Sequence, residues 1–258
     1  MKRKLSILLT GLCAFLFVFC TTSTSDKETA TNNKSKIGNL KTNPVILELF
    51  TSQGCSSCPR ADRLLEKYAD MENVVAISYH VDYWNRLGWK DPFSSAAFSL
   101  RQQNYSRIFR LNGVYTPQLV INGEREMVGS DANKVEATLK GAYNTQSTAQ
   151  LVINNVSIEG TKATIDYSVT KNENKAVLNI ALIQNKITTS IKSGENAGIN
   201  LTNINVVRNF KSVPSSSEST STISIDLVAG VNKEDLSVAL FLQDPKTLKI
   251  LAGAKSSL

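Results

Sequence analysis

"VILELFTSQGCSSCPRAD", Val45 to Asp62, is the stretch whose reading decides the fold. Residues 45–50 are almost continuously apolar, as a buried strand is. They run into a loop holding Cys55 and Cys58. Pro59 suits the first turn of a helix, where its missing N–H costs nothing. Ala61, Leu64, Leu65 and Tyr68 then recur at helical spacing, with Asp62, Arg63, Glu66 and Lys67 expected outside. The cysteines therefore sit where a strand ends and a helix begins. Unpaired backbone N–H groups at a helix start are electropositive and stabilise a thiolate. Such sites lower a cysteine pKa from about 8.5 to roughly 3.5–7.5. Cys55, after Gly54 at the helix mouth, is expected to be the exposed attacking thiol. Cys58, inside the first turn, is expected to be the sheltered resolving thiol.

Working outward, "NVVAISYHV" (73–81) reads as a second buried strand. Ser94 can cap a second helix with Phe98, Tyr105, Ile108 and Phe109 on its apolar face. "QLVI" (118–121) and "REMVG" (125–129) flank Asn122-Gly123, a two-residue hairpin signal. Ser130 or Asp131 opens a third helix with Val135, Leu139 and Ala142 inside. The order strand, helix, strand, helix, hairpin, helix implies parallel neighbours closed by an antiparallel edge. A mixed four-stranded sheet with helices is expected over 44–146.

Past Ser147 the period changes from 3.6 to 2. Ala163, Ile165, Tyr167 and Val169 alternate with polar residues; Leu178, Ile180 and Leu182 do so again, as do Ile223, Ile225 and Leu227. "VALFLQ" and "LKILAGA" flank a turn at Asp244-Pro245-Lys246. The reading for 147–258 is an antiparallel β-sandwich-like domain. "SVPSSSESTSTIS" (212–224) reads as a polar low-complexity loop.

The N-terminus has the pattern of an export signal over 1–20: Lys2, Arg3 and Lys4, then a nearly continuous apolar run from Leu5 to Phe19. That run is shorter than the about 20 residues a spanning helix wants. Cys20 precedes "TTSTS", and the arrangement resembles a bacterial lipoprotein signal with Cys20 lipidated; ordinary cleavage nearby would instead remove Cys20. Residues 21–43 read as a flexible tether. The formal charge is +7, and with the three leader positives removed a charge near +4 remains, scattered along the chain. No basic block interleaved with aromatics points to nucleic acid. The expected compartment is oxidising, periplasm or cell envelope, with membrane contact only through Cys20.

A single C-x-x-C has three readings. Tetrahedral zinc needs more ligands, and beyond the pair the mature chain offers His80 and carboxylates. Two thiolates alone suffice for Cu(I), so a Cu(I) carrier stays open. A structural staple closes a loop with two residues between the cysteines, which stabilises little. Placement at a strand-to-helix junction favours a redox pair.

"VILELFTSQGCSSCPRAD" and "RLNGVYTPQLVINGE" (110–124) together resemble a thioredoxin fold. More narrowly, "ELFTSQGCSSCP" (48–59), "HVDYWNRLGWKDPF" (80–93), "VYTPQLVING" (114–123) and "GENAGINLTNINVVR" (194–208) resemble a secreted bacterial family, domain of unknown function 1223. In that family Arg and His often stand where this chain has Ile199 and Asn203. The thioredoxin resemblance implies a cis bond before Pro117, aiming the Thr116 backbone at a bound peptide. It also implies an acidic residue beneath the cysteines, and Glu48 in the first strand is the candidate to take a proton from Cys58 if buried. An edge or solvent-facing position is the other reading of Glu48.

His80 ends the second strand, and parallel strands present their C-terminal ends on one side. His80, Asp82, Tyr83 and Trp84 are thus expected on the face of Cys55, as a catalytic group or as packing; Trp84, Trp89 and Phe93 could form an aromatic wall. The functional expectation is an exported thiol–disulfide oxidoreductase acting on protein thiols and disulfides, recycled by a redox partner protein and needing no cofactor. Its candidate residues are Cys55, Cys58, Pro117, Thr116, Glu48 and His80. The alternatives are a non-enzymatic envelope binding lipoprotein with a structural C-x-x-C, and the Cu(I) carrier.

Overall fold

The computed structural model describes residues 43–258 apart from 72, 145–147 and 173–175. The expected signal over 1–20, Cys20 and all but the last residue of the tether lie outside the described residues. No described helix is long and apolar enough to cross a membrane.

Strand β1 (Val45–Thr51) is buried at every position. It pairs in parallel with β2 (Val74–His80), in a register that sets Thr51 beside His80. Helix α1 (Pro59–Ala69) joins them, with Pro59 in its first turn. Helix α2 (Ala96–Ile108) is capped by Ser95, whose hydroxyl accepts from the Ala97 N–H, one residue later than the sequence suggested. Ile108, expected on its apolar face, is 40% exposed. The hairpin β3 (Gln118–Ile121) and β4 (Arg125–Val128) turns at Asn122-Gly123 as expected, and β3 lies antiparallel to β1. Helix α3 (Ala132–Ala142) is capped by Asp131.

The remaining strands are β5 (Gln150–Glu159), β6 (Lys162–Thr170), β7 (Val177–Ser190), β8 (Asn200–Pro214), β9 (Ser219–Asp226), β10 (Leu236–Gln243) and β11 (Ile250–Ser257). The stretch 212–224, expected as a polar loop, is mostly strand: β8 runs to Pro214 and β9 starts at Ser219. Its serines and threonines occupy an edge strand's solvent side, and β-branched Thr favours strand on its own account.

The fold expectation, a thioredoxin-like α/β domain followed by a separate antiparallel β-sandwich-like domain, is corrected by the topology. Eight strands form one mixed sheet in the order β11-β10-β7-β8-β2-β1-β3-β4, with a second three-stranded sheet, β5-β6-β9. The outer edge of β2 is not free, because β8 meets it at Ser78 and Val206. Helices α1 and α3 pack on one face of β1 through Leu65, Tyr68, Val135 and Leu139 against Val45, Leu47 and Leu49. Helix α2 packs on the other face, where Phe98 and Tyr105 meet Ile46, Phe50 and Tyr79.

The same α2-side core continues into the C-terminal strands through Ala181, Ile183, Ala239 and Phe241. Their opposite face, with Leu178, Ile180, Leu182, Val238 and Leu240, packs on Leu151, Ile153, Ile165 and Tyr167 of the small sheet. Strands β7 and β10 are therefore buried on both sides. That is why "VLNIALI" (177–183) carries apolar residues at odd and even positions alike.

Candidate functional site

Cys55 and Cys58 form a disulfide between the end of β1 and the start of α1. Cys58 is the N-cap residue of α1, and its carbonyl accepts from the Ala61 and Asp62 N–H groups. The expected exposure of Cys55 is overturned: both cysteines are 0% exposed. Gly54 leaves no open approach, since a Cβ built there would lie 3.3 Å from the Trp84 Cβ.

Trp84 holds a directed chain of donors onto the sulfur. Its indole Nε1–H donates to Thr116 Oγ1 at 2.8 Å, and the Thr116 hydroxyl donates to Cys55 Sγ at 3.2 Å. With one lone pair engaged by the indole, the threonine proton turns toward the sulfur. Such a donor gains strength when its acceptor becomes a thiolate. The Thr116–Pro117 bond is cis. Thr116 meets Cys55 through its side-chain hydroxyl, where the sequence suggested its backbone.

Glu48 is fully buried, which settles the choice between its two readings, but it is not beneath the cysteines. It shares the α2 face of β1 with Ile46 and Phe50, opposite α1. There Arg101 Nε donates to it at 2.7 Å and the Tyr105 hydroxyl donates to its other oxygen. The carboxyl group one turn from Cys58 is instead Asp62, expected outside and found 6% exposed. Residues four apart on a helix are side-chain neighbours. Thr51 Oγ1 donates to Asp62 Oδ1 at 2.9 Å. Burial pushes the Asp62 pKa up to about 6, opposed by His80 and by the Thr51 hydrogen bond.

His80 is fully buried and its Nδ1 lies 2.6 Å from Asp91 Oδ2. Burial opposes charge on the imidazole, but Asp91 outweighs it and His80 is held above its ordinary pKa. Burial likewise resists ionisation of Asp91; His80 and two backbone N–H groups overcome it and hold its pKa low. Those N–H groups belong to Gln53, 2.8 Å away on the cysteine loop, and Phe93, 2.9 Å away. Asp91 thus fixes His80 and the cysteine loop at once. His80 Nε2 and Asn203 Nδ2 are buried without a hydrogen-bond partner among the described residues.

The sequence reading placed His80 and Trp84 on the face of Cys55; Trp84 packs against Gly54 and reaches Cys55 through Thr116, while His80 reaches the cysteine loop through Asp91. It missed Asp62, Asp91 and Asn196. Asn196, on the β7–β8 connection, is buried and donates to the carbonyl oxygens of Gln53, at 2.8 Å, and Cys55, at 3.0 Å. The i, i+4 spacing from Cys58 could have found Asp62. The motifs "KDPF" and "GENAGIN" held the other two. Cys55 and Cys58 are the soft metal donors at this site. Among the described residues no three His, Cys, Asp or Glu side chains are grouped to hold a metal ion.

Fold and site together define an eight-stranded mixed-sheet protein carrying a C-x-x-C disulfide at a strand–helix junction. The chain belongs to the family of proteins of unknown function DUF1223, whose model matches residues 46–243. It is similar to the crystal structure of protein AGR_C_4864 from Agrobacterium tumefaciens, at 28% identity and a TM-score of 0.66, over 82% of this chain and 93% of that one. It is also similar to HBP35 of Porphyromonas gingivalis, at 15% identity and a TM-score of 0.57, over 84% of this chain and 76% of that one, a likeness of fold alone. No curated protein matches the chain.

Proposed function

We propose that the chain is an exported thiol–disulfide oxidoreductase whose reacting atoms are the sulfurs of Cys55 and Cys58. The observation that carries this reading is the hydroxyl of Thr116, aimed at Cys55 Sγ by Trp84, over a disulfide with a buried acid one helical turn beyond. A structural staple needs neither group.

In the reducing direction, the Cys55 thiolate attacks a substrate disulfide, and one substrate thiolate leaves. The Cys58 thiol gives its proton to the Asp62 carboxylate and attacks Cys55 sulfur in the mixed disulfide. The second substrate thiolate leaves, and the cysteines end as the Cys55–Cys58 disulfide. The substrate gains two electrons and the pair loses two; a dithiol partner protein returns them. With a pKa of about 6, Asp62 is ionised at neutral pH yet basic enough to hold the proton briefly. Thr116 and the start of α1 favour the Cys55 thiolate.

Replacing Cys58 with Ser should trap mixed disulfides with substrate proteins, since nothing remains to release them. Cys55→Ser should abolish trapping and insulin reduction together. If the Cys58→Ser protein captures no partner and Cys55 alkylates like an ordinary thiol with a pKa of about 8.5, the redox reading fails. The complete burial of both sulfurs favours one second reading, a binding protein with a structural disulfide, and that outcome would select it.

A further inference from the structure

The stretch "GENAGINLTNINVVR" takes no part in the steps above, yet its first residues lie in the loop that packs on the cysteine loop. Residues 191–199 form the tip between β7 and β8, closed on itself by hydrogen bonds between Ile191 and Ile199 and between Gly198 and Ile191. Asn196 is its buried anchor, donating to the carbonyls of Gln53 and Cys55. Gly194 lies so close to Trp89 that an added Cβ would be 3.0 Å from the Trp89 Cβ, and Ser193 Oγ donates to the Gly88 carbonyl at 2.5 Å. Exposed Glu195 reaches back over the pair, where its Oε2 accepts from the Ser56 N–H at 3.2 Å.

That contact is chemically pointed. The Ser56 amide is bonded to Cys55 itself, so Glu195 places a carboxylate on the peptide group next to the residue where a thiolate forms. A neutral disulfide tolerates this neighbour. A thiolate competes for the same electropositive N–H and repels the carboxylate.

We propose that the 191–199 tip is a redox-responsive latch in which Glu195 is the sensing residue. With the disulfide closed, Asn196 and Glu195 hold the tip on the cysteine loop. Two electrons and two protons from a dithiol that becomes a disulfide cleave the S–S bond to two thiols; the Cys55 thiol then releases its proton to solvent, and the thiolate so formed repels Glu195 and lifts the tip from Cys55. Lifting the tip removes one of the two covers of the cysteine loop, the other being Trp84 packed against Gly54. The inference rests on the redox reading of Cys55 and Cys58.

Hydrogen exchange on the full chain tests the latch directly. Amides of 191–199 should exchange several-fold faster in the reduced than in the oxidised protein, and Glu195→Gln should shrink that difference. In the reduced protein, Glu195→Gln should also lower the midpoint of Cys55 alkylation by about half to one pH unit, and Glu195→Asp should restore it. Removing the carboxylate stabilises the reduced form, so Glu195→Gln should make the disulfide more oxidising. Glu195 is exposed, so its variants test the latch without the risk to folding that Asn196→Ala carries. Equal exchange in both redox states, or an unchanged midpoint in Glu195→Gln, overturns the latch even where Cys58→Ser traps partners. Failure of Cys58→Ser trapping instead overturns the redox reading beneath it.

Discussion

At the scale of single residues, the site is set by which carboxylates are buried and what faces them. Glu48 and Asp62 are both enclosed, but Glu48 is held in a close ion pair with the Arg101 guanidinium. Asp62 has a hydroxyl donor, so desolvation wins and its pKa rises from 3.8 to about 6. The linkage sign follows. Below the lower of those values both folded and unfolded chains carry the proton, and Asp62 costs nothing. As pH rises through the interval the unfolded chain releases its proton first, so stability falls, and the full cost is present above the folded value. The shift corresponds to about 3 kcal/mol at most, by the free energy of a pKa unit. Asp62→Asn should therefore raise the melting temperature at pH 7.5 by several degrees and flatten its pH dependence between about pH 4 and 6, while slowing disulfide exchange. A lower melting temperature at pH 7.5 would show that the Thr51 hydrogen bond, not burial of charge, decides this position.

At the scale of elements, α2 binds the two halves of the sequence through one side chain. Arg101 pairs with Glu48 of β1 and donates to Gln243 of β10 at 3.1 Å. Its guanidinium lies 5.0 to 5.5 Å from the ring centroids of Tyr79, Tyr105, Phe210 and Phe241. Burial works against its charge, Glu48 more than restores it, and its pKa is raised. Removing one partner of a buried pair strands the other charge, at a cost of about 3–5 kcal/mol. Urea denaturation of Arg101→Ala should show a loss of that order. The double variant Arg101→Met with Glu48→Gln should recover most of it, because no charge is then left unpaired. If the double variant is no better than the single one, the rings rather than the ion pair hold this junction.

At the scale of the whole molecule, one sheet passes through both halves, and its two cores share strands β7 and β10. Residues 44–146 alone would expose the edge of β2 and the α2-side surface that Ile183, Phe210 and Phe241 cover. The described chain should unfold in one transition, with fluorescence from Trp84 and Trp89 coinciding with far-ultraviolet circular dichroism. A 44–146 fragment should show no cooperative transition. Two resolved steps, or a stably folded fragment, would show that the shared core contributes little. The cysteine loop also depends on this continuity, because Asn196 and Glu195 arrive from the far half of the sequence.

Local chemistry decided much of this protein from its sequence alone. The apolar run before the cysteines, the proline at the start of α1, the Asn122-Gly123 turn and the period change near residue 147 each act within a few residues, so the elements they specify are legible in order. The sequence also marked the disulfide pair and brought His80 to the same end of the sheet. What it could not convey is pairing between distant strands, because an edge looks alike whether water or another strand meets it. β8 meets β2 and turns two expected units into one sheet. The side on which a carboxylate is buried was hidden for the same reason: Glu48 faces Arg101 and Asp62 faces Thr51 only once α1 and α2 have taken opposite faces of β1. The burial of Cys55 was decided last, by Trp84 packed against Gly54 and a loop from 140 residues further on, contacts between segments that no local pattern encodes.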